Sequence, residues 1–92
     1  MQMEWDEEKC QANLAKHGLS FEDAWQVLVG DTVTIPDKRH DYGEDRLITL
    51  GTLAGRVVVV VHVEREEKTR IISMRKANAR EQEIYQERLR QD

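Results

Sequence analysis

"RVVVVVHVE", residues 56–64, decides the fold of this 92-residue chain. β-branched side chains favour strands, and an unbroken apolar run of this length is typical of a central strand covered on both faces. The run is far too short to cross a bilayer. Strand-like segments lie on either side of it: "RLITLGT" before the turn "LAG", and "TRIISM" after the charged turn "REEK". Connections this short favour an antiparallel meander over parallel crossovers.

Two helices are predicted before these strands. The first spans residues 7–17, after a short extended start, with Asp6 as its N-cap and Gly18 as its C-terminal stop. The second begins at Ser20 and ends near Gly30. Its apolar residues recur at helical spacing and are expected to face the core: Phe21, Ala24, Trp25 and Leu28.

One more strand and a closing helix complete the predicted order. "TVTIP" forms a strand that Pro36 stops, and Asn78 with Glu81 three positions later begins a helix over residues 79–91. The sequence therefore predicts a single α+β domain over residues 1–92. It would contain two N-terminal helices, a four-stranded antiparallel sheet and a C-terminal helix.

Composition excludes several functional classes. Cys10 is the only cysteine, so neither an intrachain disulfide nor a thiolate zinc cage is expected. The three histidines lack the spacing of a metal-ligand set, and no glycine-rich phosphate loop occurs. We therefore expect no metal and no cofactor. The start "MQMEWDEEK" lacks a signal pattern, so a soluble cytoplasmic protein without membrane association is expected.

Positive charge is concentrated in one part of an otherwise acidic protein. The chain has a formal charge of −4, yet residues 65–80 contain six Lys or Arg and two Glu. The net field opposes non-specific coating of nucleic acid, so any phosphate contact must be local. A cation cluster of this kind predicts a site for a polyanion or for an acidic partner.

Four segments together resemble the BrnT toxin family of bacterial type II toxin–antitoxin systems. They are "EWDEEKCQANLAKHGLSFEDAWQVL", "DYGEDRLITLG", "VVVVVHVERE" and "TRIISMRKANAREQEIY". The resemblance implies a RelE/ParE-like fold and a ribonuclease that halts translation. It also implies a ribbon-helix-helix antitoxin of the BrnA type, and a toxin–antitoxin complex that binds its own operator DNA through the antitoxin and so regulates its own transcription.

Three arginines are the first candidates for catalysis. Arg65, Arg70 and Arg75 match the family's "ER" and "RIIS.R" positions. RNA can be cleaved by its own 2'-OH, so a ribonuclease needs alignment, proton transfer and cations that stabilise the phosphorane, for which guanidinium groups are well shaped. An antiparallel pair places Arg65 and Arg70 near one turn and Arg75 at the far end. In the alternative reading, these arginines are solvated or pair with nearby glutamates.

His62 and Glu64 are the candidates for proton transfer. The imidazole titrates near neutral pH, and two residues that are two positions apart on a strand point to the same face. The pair is therefore predicted to act as general base and orienting acid. The alternative is that His62 caps the edge of the sheet.

Five further residues are predicted to bind the substrate: Lys16, His17, Arg46, Lys76 and Arg80. Arg46 either contacts a phosphate or bridges the loop "DYGED" internally. Lys16 and His17 end the first helix, where cations also suit the helix dipole, so a purely structural role is open for both.

Two functions follow from these observations. The first is a metal-independent endoribonuclease toxin whose antitoxin lies over residues 65–80 and occludes the site. The second is a non-enzymatic binding module of the same fold, which blocks a protein such as DNA gyrase or serves only as part of a repressor complex. Fold alone does not choose between them.

Overall fold

The computed structural model describes residues 1–91 and is built around one five-stranded sheet. Its strands are β1 (Gln2–Glu4), β2 (Val33–Pro36), β3 (Arg46–Leu53), β4 (Arg56–Arg65) and β5 (Lys68–Lys76), in the spatial order β1-β5-β4-β3-β2. The helices are α1 (Glu7–His17), α2 (Ala24–Leu28) and α3 (Ala79–Arg90), and a 3-10 turn, Phe21–Asp23, leads into α2.

The mixed α+β class and the order of elements are as predicted, but the number of strands is wrong. β2 to β5 form the expected antiparallel meander. The short extended start adds a fifth strand, which pairs parallel with β5 from Gln2 opposite Lys68 to Glu4 opposite Arg70. Three residues are too few to show alternation, and the partner of β1 lies more than sixty positions away. Local patterns therefore gave no sign of this pairing.

The valine run is covered on both faces, as predicted. Val58 and Val60 pack in a cluster with residues of α1 and α2, which defines the α1/α2 face of the sheet. Val57 and Val59 pack with Tyr85 of α3, which defines the α3 face. Because side chains alternate along a strand, the odd-numbered residues of β4 all belong to the α3 face.

An asparagine fixes α1 against the sheet. The side chain of Asn13 is buried, accepts the backbone N–H of Met74 at 3.2 Å and donates to the carbonyl of Leu19 at 3.1 Å. Met74 lies beyond the end of β1, where β5 has no strand partner on that side. Asn13 therefore satisfies a backbone donor that the short β1 leaves open. The predicted N-cap at Asp6 is confirmed, because its side chain accepts hydrogen bonds from backbone N–H groups in the first turn of α1.

The second helix differs from its predicted pattern. Ser20 caps it as expected, but its first turn is 3-10, with about three residues per turn. The expected apolar stripe is shifted as a result: Trp25 is 49% exposed, whereas Val27 is fully buried. Gly51 of β3 admits Val27, since a Cβ at position 51 would lie 2.7 Å from Val27 Cγ1. The prediction that Trp25 faces the core is wrong.

α3 begins with the predicted capping box. Asn78 accepts the Glu81 N–H at 2.8 Å, and the Glu81 side chain accepts the Asn78 N–H at 2.9 Å. Although α3 is very polar, Tyr85 is buried on the sheet and donates its hydroxyl to the carbonyl of Asp31 at 2.7 Å. This docking positions one side of α3 along the sheet and leaves a groove beside it.

Candidate functional site

Three arginines project from one end of the α3 face. Arg46 of β3 and Arg70 of β5 both pair with Val63 of β4, so they flank it on the same face. Arg65 lies two residues beyond Val63 and shares that face. We call Arg46, Arg65 and Arg70 the arginine cluster. The predicted proximity of Arg65 and Arg70 is confirmed.

A bulge in β5 brings Arg70 and Arg75 to the same face. They are five positions apart, so strict alternation would place them on opposite faces. Ser73 pairs with Val61 and Ile71 with His62, which leaves Ile72 as an extra residue. A bulge of this kind shifts the alternation by one residue. Every arginine singled out for phosphate contact on β3, β4 and β5 therefore belongs to the α3 face.

Arg65 is neutralised within the fold. Its guanidinium forms a short ion pair with Glu44, which lies in the loop before β3. The hydrogen bond from Arg65 lowers the pKa of Glu44, and the charges of Arg46 and Arg70 act in the same direction. The same bond raises the pKa of Arg65. Glu44 is thus the carboxylate that is ion-paired to the arginine cluster, while Glu4 of β1 lies opposite Arg70 and also raises the pKa of Arg65.

Arg46 and Arg70 have unused hydrogen-bonding capacity. The guanidinium carbon of Arg46 lies 3.8 Å from the centre of the Tyr42 ring, a cation–π contact. Its Nε is buried and has no acceptor in residues 1–91. Arg70 makes no ion pair with a carboxylate of that same part of the chain. Two neighbouring guanidiniums without a carboxylate partner favour an anionic ligand at their terminal nitrogens.

Arg75 lies apart from the cluster and is already paired. It is opposite Val59, four residues from Val63, or about 13 Å along the strand. Its two terminal nitrogens each donate to one oxygen of Glu81 at 2.7 Å. This pair lowers the pKa of Glu81 and raises that of Arg75. Arg75 therefore joins β5 to the start of α3 and is not an unpaired cation.

His62 and Glu64 are hydrogen-bonded, as their spacing predicted, but they occupy the α1/α2 face. His62 Nδ1 lies 2.7 Å from a Glu64 oxygen, and the other Glu64 oxygen accepts the Thr69 hydroxyl. His62 Nε2 lies 2.7 Å from the Thr49 hydroxyl, which contacts Thr34. Since an ionised carboxylate only accepts, Nδ1 donates to Glu64, and Nε2 shares the remaining hydrogen bond of the ring with the Thr49 hydroxyl.

This placement separates His62 from the arginines. The ring is 5% exposed on a central strand, so it does not cap the edge of the sheet. Both ring nitrogens are engaged, and the sheet itself lies between the ring and the arginine cluster. Geometry thus does not bring together the pair that the sequence suggested for proton transfer and the arginines.

The other predicted substrate-binding residues are scattered. Lys16 and His17 occupy the last turn of α1, whose buried residues belong to the α1/α2 side. Lys76 ends β5 opposite Val58 and so lies on that side as well. Arg80 lies in the first turn of α3 and borders the groove on the α3 face. Among the five, only Arg46 and Arg80 lie on the face of the arginine cluster.

Sequence reasoning missed the groove itself. It has a volume of about 390 Å³ and lies over β2 to β5, between α3 and the loop after β2. Four arginines border it: Arg39, Arg75, Arg80 and Arg88. Arg39 is held by two 2.8 Å bonds to the enclosed carboxylate of Asp37, whose pKa lies well below its usual range as a result. The spacing of Arg80, Ile84 and Arg88 was the available signal, because residues four apart share one helix face.

Neither a membrane helix nor a metal cluster occurs in the described residues. Within residues 1–91, none of the helices has the length and apolar character needed to cross a bilayer. In the same residues, His, Cys, Asp and Glu side chains do not gather in groups of three or more that would hold a metal ion.

Comparison with known proteins identifies one relationship. Residues 5–81 match the family model described as "Ribonuclease toxin, BrnT, of type II toxin-antitoxin system". The matched segment runs from the end of the first strand into α3, and so contains the whole arginine cluster together with Glu44 and Glu81. No curated protein sequence matches the chain.

Proposed function

Because the chain belongs to the BrnT family of ribonuclease toxins of type II toxin–antitoxin systems, we propose that it cleaves RNA without a metal, at the arginine cluster. In this proposal the 2'-OH of the substrate attacks the adjacent phosphorus. The bond from phosphorus to the 5'-oxygen breaks, which leaves a 2',3'-cyclic phosphate and a 5'-OH. Cleavage of messenger RNA in this way would halt translation.

The observation that carries the proposal is the row formed by Arg46, Val63 and Arg70. Its two guanidiniums flank one buried valine, and neither forms an ion pair with a carboxylate of residues 1–91. The non-bridging oxygens of a phosphate placed between them would accept from the terminal nitrogens of both. Each well-placed donor of this type contributes about 3 kcal/mol when charge develops on the oxygen in the transition state. Arg65 adds a third cation once its carboxylate partner is displaced.

Glu44 is the group that we assign to accept the proton of the 2'-OH. Its ion pair with Arg65 lowers its pKa and weakens it as a base. When a phosphate draws Arg65 away, the pKa of Glu44 rises towards its ordinary value, and the carboxylate becomes a better proton acceptor next to the reacting group. The departing 5'-oxygen takes its proton from water. His62, enclosed on the other face, has no part in this scheme.

The partner is a further part of the proposal. Type II systems pair the toxin with an antitoxin protein, and we propose one of the BrnA ribbon-helix-helix type that covers the α3 face around residues 65–80. The complex would bind operator DNA through the antitoxin, which is consistent with the net charge of −4 on the toxin. A RelE/ParE-like fold, which the sequence resemblance implied, stays a prediction.

The test is cleavage of RNA by the purified, antitoxin-free protein in the presence of EDTA. We expect fragments with 2',3'-cyclic ends from the native chain, and none above background from a variant with Arg46→Ala, Arg65→Ala and Arg70→Ala. Arg56→Ala is the matched control, because Arg56 is an exposed arginine at the other end of β4, about 30 Å from Arg65. Full activity of the triple variant would disprove the assignment.

A second variant tests the role of Glu44. Glu44→Gln should slow cleavage strongly but preserve or tighten RNA binding, since it removes a negative charge next to the cluster. Unchanged cleavage would exclude Glu44 as the base. Growth arrest by the native chain with cellular RNA intact would instead favour a non-enzymatic toxin, for example one acting on DNA gyrase.

A further inference from the structure

The groove beside α3 is lined by aliphatic residues, two of which the fold leaves exposed. Seven aliphatic residues line it: Val33, Ile35, Ile48, Leu50, Val59, Val61 and Ile84. Ile35 of β2 is 46% exposed and Ile84 of α3 is 38% exposed, whereas the other five are buried or half-buried. Large aliphatic side chains at this level of exposure are favourable to cover, because their removal from water stabilises a complex.

α3 presents a regular stripe to this groove. Arg80, Ile84 and Arg88 follow one another at intervals of four, so they lie along one side of the helix. The two arginines are separated by eight residues, or about 12 Å along the helix axis. The apolar side chain lies midway between them. The other side of α3 contacts the core through Tyr85 and Leu89.

The arginines of this stripe are the unpaired cations of the groove. Arg39 and Arg75 are already neutralised by Asp37 and Glu81. Arg80 and Arg88 form no ion pair with a carboxylate of residues 1–91. The complementary ligand therefore has an apolar centre with negative charge on both sides of it, about 12 Å apart.

An amphipathic protein segment fits this description better than an RNA strand does. Bases bind proteins by stacking on aromatic rings or on guanidinium planes; none of the residues that line the groove is aromatic, and two of its four arginines are held in ion pairs. Aliphatic floors are typical of grooves that take an amphipathic helix. The chemistry of the lining thus favours a protein segment over a nucleobase.

We propose that the groove is the docking site for an acidic amphipathic segment of the antitoxin, with an aliphatic side chain over Ile84 and carboxylates at Arg80 and Arg88. The proposal rests on the proposed function only in taking an antitoxin as the partner. It divides the α3 face into two parts: the arginine cluster for RNA and the groove for the antitoxin. A segment seated there would reach Val61, two residues or about 7 Å along β4 from Val63, so the rest of the antitoxin could cover the cluster.

The test uses a synthetic 16-residue amphipathic peptide with leucines on one face and two glutamates eight positions apart. Titration calorimetry should show saturable binding to the native chain. Binding should weaken about tenfold or more in the Arg80→Glu, Arg88→Glu variant, because like charges then face each other across the interface. A peptide with lysines in place of the two glutamates should not bind.

Arg90→Glu is the matched control. Arg90 lies in the same last turn of α3 as Arg88 but borders its outer surface, so Arg90→Glu matches the charge change and the loss of dipole complementarity of the single variant Arg88→Glu, which is measured beside the double variant. Arg90→Glu should bind the peptide as the native chain does. Circular dichroism of all three variants should match the native spectrum.

Three outcomes would overturn the proposal. They are equal weakening in Arg90→Glu, displacement of the peptide by a 12-nucleotide single-stranded RNA but not by unlabelled peptide, and self-association of the chain that Ile84→Asp abolishes. Since peptide binding is measured without RNA cleavage, a chain that binds the peptide but does not cleave RNA would refute the ribonuclease mechanism alone. A chain that cleaves RNA but ignores the peptide would refute the groove assignment alone.

Discussion

On the α1/α2 face of the sheet the polar side chains satisfy one another, whereas on the α3 face several arginine donors have no partner in residues 1–91. Thr34, Thr49, His62, Glu64 and Thr69 form a continuous series of hydrogen bonds across four strands. Across the sheet, Arg46 has a buried nitrogen without an acceptor. Buried polar groups that find all their partners inside the fold specify the fold. Those left open on a cationic surface indicate a ligand.

The largest effect is expected on the stability of the fold, from a substitution on the α1/α2 face. His62→Ala removes a ring that is 5% exposed and leaves Thr49 and Glu64 without their shared partner. We expect the free energy of unfolding to fall by about 3 kcal/mol, from the cavity and the unpaired groups together. Urea denaturation measures this change. Thr34→Ala, at the exposed end of the same series, should cost less than about 0.5 kcal/mol.

Activity of the folded fraction of His62→Ala decides whether the comparison holds. If the variant cleaves RNA normally at low temperature, where it is folded, the two faces have separate roles. If it stays folded but loses cleavage, His62 acts as the base after all and the division between the faces is wrong.

Arg70→Ala should have little effect on stability but a large effect on RNA cleavage. Arg70 has no internal partner in the described part of the chain, so its loss should change the stability by less than about 0.5 kcal/mol. The rate of cleavage should fall about 100-fold, from the loss of one donor to the developing charge. Single-turnover kinetics measures this rate. If Arg70→Ala were as active as the native chain, the arginine cluster on the α3 face would not be the cleavage site.

Local patterns predicted much of this fold because its signals are local. The valine run, the cap at Asp6 and the capping box at Asn78 each depend on residues within a few positions, and all three are confirmed. The shared face of His62 and Glu64 follows from the period of a strand. These features need no knowledge of tertiary contacts.

The site was harder to predict because two features depend on distant contacts. The extra residue Ile72 opposite the junction of Val61 and His62 decides which face Arg70 occupies, and the sequence carries no mark of a bulge there. Internal partners are equally hidden: Glu44 precedes Arg65 by twenty-one positions, yet pairs with it. Charge density alone thus identified the arginines but did not show which of them lack an internal ion-pair partner.

Glu81→Gln would leave Arg75 without the carboxylate with which it pairs. Glutamine preserves the capping box, so the change mainly removes the charge that holds Arg75. We expect a loss of about 1 kcal/mol, since both side chains are partly exposed. RNA should bind more tightly, because Arg75 becomes a further unpaired cation on the α3 face. Thermal unfolding and RNA binding by fluorescence anisotropy measure the two effects.

The acid side of the stability curve gives a separate check on Glu81. Its pKa is lower in the folded chain than its ordinary value of 4.5. The ion pair therefore stabilises the protein fully above about pH 4.5, and this contribution disappears as the pH falls through the folded pKa. Glu81→Gln should show a weaker loss of stability below pH 4.5 than the native chain does. An identical acid profile would mean that Asp37, whose pKa is also lowered, dominates this range.

The smallest effect concerns the turn that joins the two strands carrying Arg65 and Arg70. Glu66 has a positive φ of 53°, and so has Ala54, at 51°, in the turn at the other end of β4. A left-handed conformation costs a side-chain-bearing residue about 1–2 kcal/mol, while glycine loses about 0.5–1 kcal/mol more backbone entropy on folding. Glu66→Gly and Ala54→Gly should therefore each stabilise the fold by about 0.5 kcal/mol. Only Glu66→Gly also removes a negative charge near the arginine cluster, so it alone should tighten RNA binding. If Ala54→Gly tightened binding equally, turn conformation rather than local charge would control RNA binding on the α3 face.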